Sequence, residues 1–174
     1  MLAKSYAMKS GRTIYRNFLS GVLLFLLIVV GASIAKAEEA KLAITGNIKS
    51  EHGAIYFSPG DMAASTPVVI ATTSPWTTGK TRFRGVFLRD ILDKVEADGT
   101  VLKATAKDGY SVDIPISDAT DYDVIIAYKM DGEWLEDDVY APFWIIYPYD
   151  TDEELAQEKY YGRSIWQLTK LTVE

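Results

Sequence analysis

The sequence predicts a β-dominated α+β domain behind a basic, then apolar, leader. Three observations predict the fold class. Short runs that alternate apolar and polar residues recur after position 40, bounded by Gly, Pro, Asn and Asp. Only the stretch from Val86 changes clearly to a helical period. Eleven Tyr and four Trp favour pleated, half-buried surfaces over helices.

Taken in order, residues 42–48 alternate loosely and open the first strand. The apolar run 54–57 stops at Ser58-Pro59-Gly60-Asp61, a cluster that caps a helical turn reaching Ala64. Residues 67–73 are apolar and β-branched and read as a strand; 74–79 read as a loop, and 81–85 alternate as a second strand. Val86, Leu88, Ile91, Leu92 and Val95 then share one helical face, opposite Arg89, Asp90, Asp93 and Lys94. Gly99 stands beyond the end of that helix, where a left-handed residue is tolerated.

Strands return at 101–106 and 110–114, joined by the Asp108-Gly109 turn. Residues 117–123 read as a polar connection. Residues 124–130 form a strand that Asp131-Gly132 folds back through Trp134-Leu135. The run 143–147 is almost continuously apolar, as in a strand buried on both faces. Residues 151–159 suit a turn or two of amphipathic helix capped by Thr151, and 165–173 close the domain as a strand. No repeat or low-complexity linker interrupts the chain, so one domain is expected over residues 38–174.

The leader has its own logic. Residues 1–17 are polar and basic, 18–35 are apolar, and Ala35-Lys36-Ala37 offers small residues at both positions of an Ala-x-Ala cleavage site. That order is the order of a secretory signal peptide, expected here over residues 1–37, and it addresses the domain to a periplasm. The densest apolar run, 22–30, is shorter than the roughly 20 residues of a spanning helix. The alternative is an uncleaved leader, which would be the chain's only membrane contact. Five of the 18 basic residues lie in the leader and none of the 24 acidic ones does. The acidic remainder repels nucleic acid and anionic lipid. The absence of Cys excludes a disulfide framework, a thiolate nucleophile and a thiolate metal site.

Several local patterns carry little chemistry. Gly79-Lys80-Thr81 resembles the tail of a phosphate loop, but Ser74 occupies the place of its first Gly and a strand follows it. His52 is the only histidine, too few for zinc or for a Ser-His-Asp triad. Three carboxylate groups, Asp118/Asp121/Asp123, Glu136/Asp137/Asp138 and Asp150/Asp152/Glu153/Glu154, lack calcium-loop spacing and read as solvated loops. The aromatic residues mostly suit packing, yet Tyr147-Pro148-Tyr149 and Tyr160-Tyr161-Gly162-Arg163 fall at strand ends, where sites form. Arg82, Arg84, Arg89 and Arg163 are the arginines beyond the leader, and a fork for an anion would come from this set.

The order of segments is familiar. Arg84-Gly85-Val86-Phe87-Leu88-Arg89-Asp90-Ile91-Leu92 resembles the W-x-G-V-x-L-x-D-L-L signature of the sulfite-oxidase-type molybdopterin-binding domain. Asp108-Gly109-Tyr110-Ser111-Val112-Asp113-Ile114-Pro115 is similar to its DGY-x-x-x-(I/L)-P strand. Ala127-Tyr128-Lys129-Met130-Asp131-Gly132-Glu133 is similar to its hairpin, and residues 142–148 and 161–173 to its closing segments. The resemblance covers nearly all of the chain after the leader. It implies a sulfite-oxidase-like fold with mixed sheets and few short helices, as in short periplasmic members labelled oxidoreductase.

The departures from the family pattern bear on function. The family's enzymes hold molybdenum through a cysteine placed, by this resemblance, near residues 72–74, where this chain has Thr72, Thr73 and Ser74. A hydroxyl is a hard, weakly acidic ligand and does not replace a soft thiolate. Trp144 stands where the family commonly has Arg, and Trp166 where it commonly has Lys. An anionic pterin loses charge-assisted contacts worth about 1.5–3 kcal/mol each at such positions. The expected function is therefore a binding module without molybdenum, its pocket lined by Thr73, Ser74, Trp76, Arg84, Trp144, Tyr147, Arg163 and Trp166. Its ligand would be a small aromatic or anionic molecule, or an envelope protein such as a membrane sensor. The alternatives are a molybdopterin oxidoreductase with a non-thiolate ligand, and a hydrolase or lyase built on Asp and Tyr groups.

Overall fold

The structure is a computed structural model that describes residues 40–135 and 138–174. The expected leader, and Glu136 and Asp137 of the second carboxylate group, lie outside the described residues. The chain runs β1 (Leu42–Gly46), β2 (Ala54–Phe57), α1 (Pro59–Ala64), β3 (Val68–Thr72), β4 (Thr81–Phe87), α2 (Leu88–Lys94), β5 (Val101–Ala106) and β6 (Ser111–Pro115). It continues with α3 (Ser117–Asp121), β7 (Ile125–Met130), β8 (Glu133–Trp134), β9 (Trp144–Ile146), α4 (Glu158–Arg163) and β10 (Leu168–Val173). The expected β-dominated α+β class is what forms.

Two five-stranded sheets result. The first has the order β2-β1-β10-β5-β6, with β1 and β10 parallel and the other pairs antiparallel. The second has the order β3-β4-β7-β8 and is antiparallel. In it, β7 offers one edge to β4 and divides the other between β8 and β9. Leu42, Ile44, Leu102, Ala104 and Leu171 of the first sheet share one core with Val86, Ile126, Tyr128 and Ile145 of the second. The opposite faces of β7 and β9 send Ile125, Ala127, Trp144 and Ile146 into a smaller cluster with Phe83. The prediction that 143–147 is buried on both faces therefore holds: residues 143–147 are fully buried.

Local chemistry explains the boundaries. Ser58 caps α1, accepting from the Asp61 amide at 3.1 Å while Asp61 accepts from the Ser58 amide at 2.8 Å, a reciprocal capping box. These bonds hold the Asp61 carboxyl below its usual range. Val86 and Phe87, read as helical, stay in β4 because they pair with Ile126 and Ile125 of β7. The left-handed residue after α2 is Glu96, at φ 49°, and not Gly99. Gly99 is required for a different reason: a Cβ there would lie 2.5 Å from the Glu174 carbonyl oxygen. The connection at 117–123 contains α3, and the helix expected over 151–159 forms later, as α4. Thr151 instead donates to the Pro148 carbonyl and closes a turn.

Candidate functional site

The loop between β3 and β4 places Trp76 at the centre of the aromatic residues. Its ring lies 5.7 Å from Trp144, 5.8 Å from Tyr161 and 5.6 Å from Trp166, at interplanar angles of 62°, 83° and 71°. Offset and edge-on contacts of this kind add to plain area burial. Trp144 is fully buried behind the group, stacked on Tyr140 at 4.3 Å and edge-on to Phe83. Its indole Nε1 donates to the Ser164 carbonyl at 3.1 Å, so the polar handle is satisfied inside the core. Trp76, Tyr161, Trp166, Tyr110, Asp108 and Glu158 line an open cleft of about 440 Å³. That volume suits a small molecule. Its charged lining residues are both acidic.

The structure brings together only part of the expected set. Trp76 and Trp166 line the cleft, and Trp144 forms its back. Tyr147 and Arg163 turn inward to a residue the sequence reading assigned to solvent. Tyr147 Oη and Arg163 Nη1 each donate to Asp118 Oδ2, both at 2.7 Å. Asp118 is buried, which corrects its assignment to a solvated loop. Burial, then the bond to Asp118, drives the Tyr147 phenol pKa far upward. The Arg163 guanidinium is thereby used as an internal counter-ion, and it lies 5.5 Å from the Tyr160 ring centroid. Arg84 lies on the exposed side of β4, outside the cleft lining.

Thr73 is engaged by Asp150 and Ser74 by its own loop. The Thr73 amide and hydroxyl donate to Asp150 Oδ1 at 3.2 and 2.5 Å, and Lys80 pairs with Asp150 Oδ2 at 3.0 Å. These partners, the Thr73 side chain first, hold the Asp150 carboxyl below its usual range. Asp150, read as part of a solvated cluster, is thus the strut of this loop. Its own amide donates to the Thr72 hydroxyl. Ser74 Oγ is 2.8 Å from Thr77 Oγ1.

The sequence reading noted Tyr149 and Tyr161 at strand ends without placing them in the pocket, assigned Asp118 to solvent and passed over Ser164. The Tyr149 and Ser164 hydroxyls bond to each other, and Ser164 donates onward to the Tyr160 carbonyl. Burial pushes the Tyr149 phenol upward. Aromatic pairs spaced near strand ends are a usable signal for Tyr149 and Tyr161. Nothing local marks Asp118, whose cationic partner is 45 residues away.

The residues at the loop do not fit a molybdenum pterin. The hydroxyls of Thr72, Thr73 and Ser74 are bonded to neighbouring groups, and no thiol exists in the chain. Among the described residues no three His, Cys, Asp or Glu side chains are grouped to hold a metal ion. Trp144 is buried against Trp76 of the loop, Lys80 of the loop is paired with Asp150, and Arg163 is paired with Asp118.

A second cleft of about 340 Å³ lies elsewhere, lined by Tyr128, Trp134, Leu135, Pro142 and Pro59 among others. The Tyr128 hydroxyl beside it is the one buried side-chain polar atom without a hydrogen-bond partner among the described residues.

Comparison with known proteins agrees with the architecture. The chain is similar in structure to the sulfane dehydrogenase SoxCD from Paracoccus pantotrophus, with a TM-score of 0.55 and 16% sequence identity. That match covers 77% of this chain but only 38% of the longer one, so it speaks for the fold. No curated protein matches at the same stringency. The family model for the oxidoreductase molybdopterin binding domain matches residues 59–150, which run from α1 through the β3–β4 loop to Asp150. By that match over more than half its length, the chain belongs to the oxidoreductase molybdopterin binding domain family.

Proposed function

We propose that this protein is an exported binding module on a molybdopterin-binding-type scaffold, acting without molybdenum. The observation that carries the reading is the relined loop. Where a soft metal ligand would be needed, the chain has hydroxyls tied to Asp150 and Thr77, and Trp144 is buried against Trp76 of the same loop. What stays open to solvent is the aromatic cleft around Trp76, Tyr161 and Trp166. A concave, aromatic-lined cleft with a few polar groups is a usual setting for small-molecule binding. The basic and apolar leader supports delivery to a periplasm.

Two measurements on protein isolated from its own compartment test this. Elemental analysis is expected to give molybdenum far below one atom per chain, and near-stoichiometric metal would overturn the reading in favour of an oxidoreductase with a non-thiolate ligand. Small-molecule binding is expected to quench or shift tryptophan fluorescence, since Trp76 and Trp166 both line the cleft.

A further inference from the structure

We infer that the aromatic cleft selects a small organic cation, an alkylated ammonium in particular. This rests on the binding-module reading and assigns its ligand class. Trp76 meets Tyr161 and Trp166 at 83° and 71°, with centroids under 6 Å apart, so each of the two stands edge-on to Trp76 and neither stacks on it. Ring faces carry the negative part of the aromatic quadrupole, and cations are drawn to them when partly desolvated. The partial exposure of Trp166, at 37%, and of Tyr110, at 59%, leaves ring surface for a ligand to cover.

The charges point the same way. Asp108 and Glu158 stand in the lining. Asp108 holds the turn by accepting from the Tyr110 amide through Oδ1, which leaves its second oxygen for a ligand. Glu158 has no ion-pair partner among the described residues. Two cations of α4 are committed elsewhere: Arg163 to Asp118, and Lys159 to Glu154 and the Tyr160 ring. Lys107, though between Ala106 and Asp108, is not part of the lining. A phosphate or carboxylate entering this cleft would meet two like charges and no free guanidinium. A quaternary or alkylated ammonium would meet ring faces and two carboxylates. This replaces the expected aromatic or anionic ligand anchored by Arg163.

The test is a calorimetric and fluorescence titration of the exported domain with three probes: choline, its neutral isostere 3,3-dimethylbutan-1-ol, and benzoate. Choline is expected to bind about tenfold or more tightly than the neutral isostere, and benzoate not at all. Glu158→Gln with Asp108→Asn keeps the turn and the volume, and is expected to weaken choline about tenfold with the circular dichroism unchanged. Trp166→Ala is expected to weaken choline and to leave only the Trp76 part of the fluorescence response. Equal or tighter binding of the isostere or of benzoate, no choline binding at millimolar concentration, or an unchanged affinity in the double variant would each overturn the cation assignment. Benzoate binding would leave the binding-module reading standing, whereas stoichiometric molybdenum would remove that reading whatever choline does.

Discussion

Asp118 receives a phenol and a guanidinium on the same oxygen, and the three groups come from α3, the exit of β9 and α4. The side chains of Arg163 and Asp118 are 18% and 8% exposed, so neither charge is left to water. In such a site the cost of losing one partner exceeds the net worth of the pair, because the survivor stays desolvated and alone. Asp118→Ala is expected to lower the unfolding free energy by about 3 kcal/mol in urea denaturation, with Arg163→Ala close behind. A loss under about 1 kcal/mol for Asp118→Ala would show the pair to be hydrated. Arg163→Ala is thus a stability variant. The residue types were legible in the chain, since Tyr147 and Arg163 were singled out. Their direction was not. A short polar segment such as 117–123 looks solvated unless its distant counter-ion is known.

Elements were legible where periodicity is set by local burial and obscure where pairing decides. The alternating runs that became β5, β6 and β7 report one or two buried faces directly. The start of α2 was misplaced because Val86 suits both a helical stripe and a strand, and only its partner Ile126 decides. α4 was misplaced because it is packed by tyrosines and not by an aliphatic stripe. Tyr122, just after α3, lies 2.9 Å from the Tyr160 hydroxyl, which donates to Glu154 at 2.7 Å. Its hydroxyl donates into this chain, and its pKa is pushed up to about 12. Tyr160, Tyr147 and Tyr149 are raised as well, chiefly by burial. A phenol whose folded pKa exceeds the ordinary value of 10.0 contributes stability that is complete below pH 10 and fades as pH climbs toward the folded value. Alkaline titration is therefore expected to release these phenolates only as circular dichroism is lost. Complete tyrosine ionisation with the secondary structure intact would refute the packing of α4 described above.

At the scale of the molecule, the loop of residues 73–80 is tied by Thr73 and Lys80 to Asp150, a residue that follows β9 in the chain. Residues 59–150, the part that matches the family model, include every strand of the second sheet and this loop. The residues that depart from the family pattern by the resemblance above lie on separate elements: hydroxyls at the end of β3 and after it, Trp144 in β9 and Trp166 beyond α4. A change so distributed does not reverse at one position. If the missing sulfur were the sole obstacle, Thr73→Cys would be enough to recruit the metal. Two further features oppose it: Lys80 and Arg163 are paired with Asp150 and Asp118, and the buried Trp144 indole packs against Trp76 of the loop. Thr73→Cys, expressed in a host that makes the pterin, is expected to carry under about a tenth of an atom of molybdenum per chain, since a single soft ligand does not supply the counter-charges the pterin needs. It should also lose some stability, because Thr73 no longer donates its hydroxyl to Asp150. Loading near one atom per chain would mean that the aromatic residues move aside and that the scaffold has stayed a cofactor site waiting for its ligand.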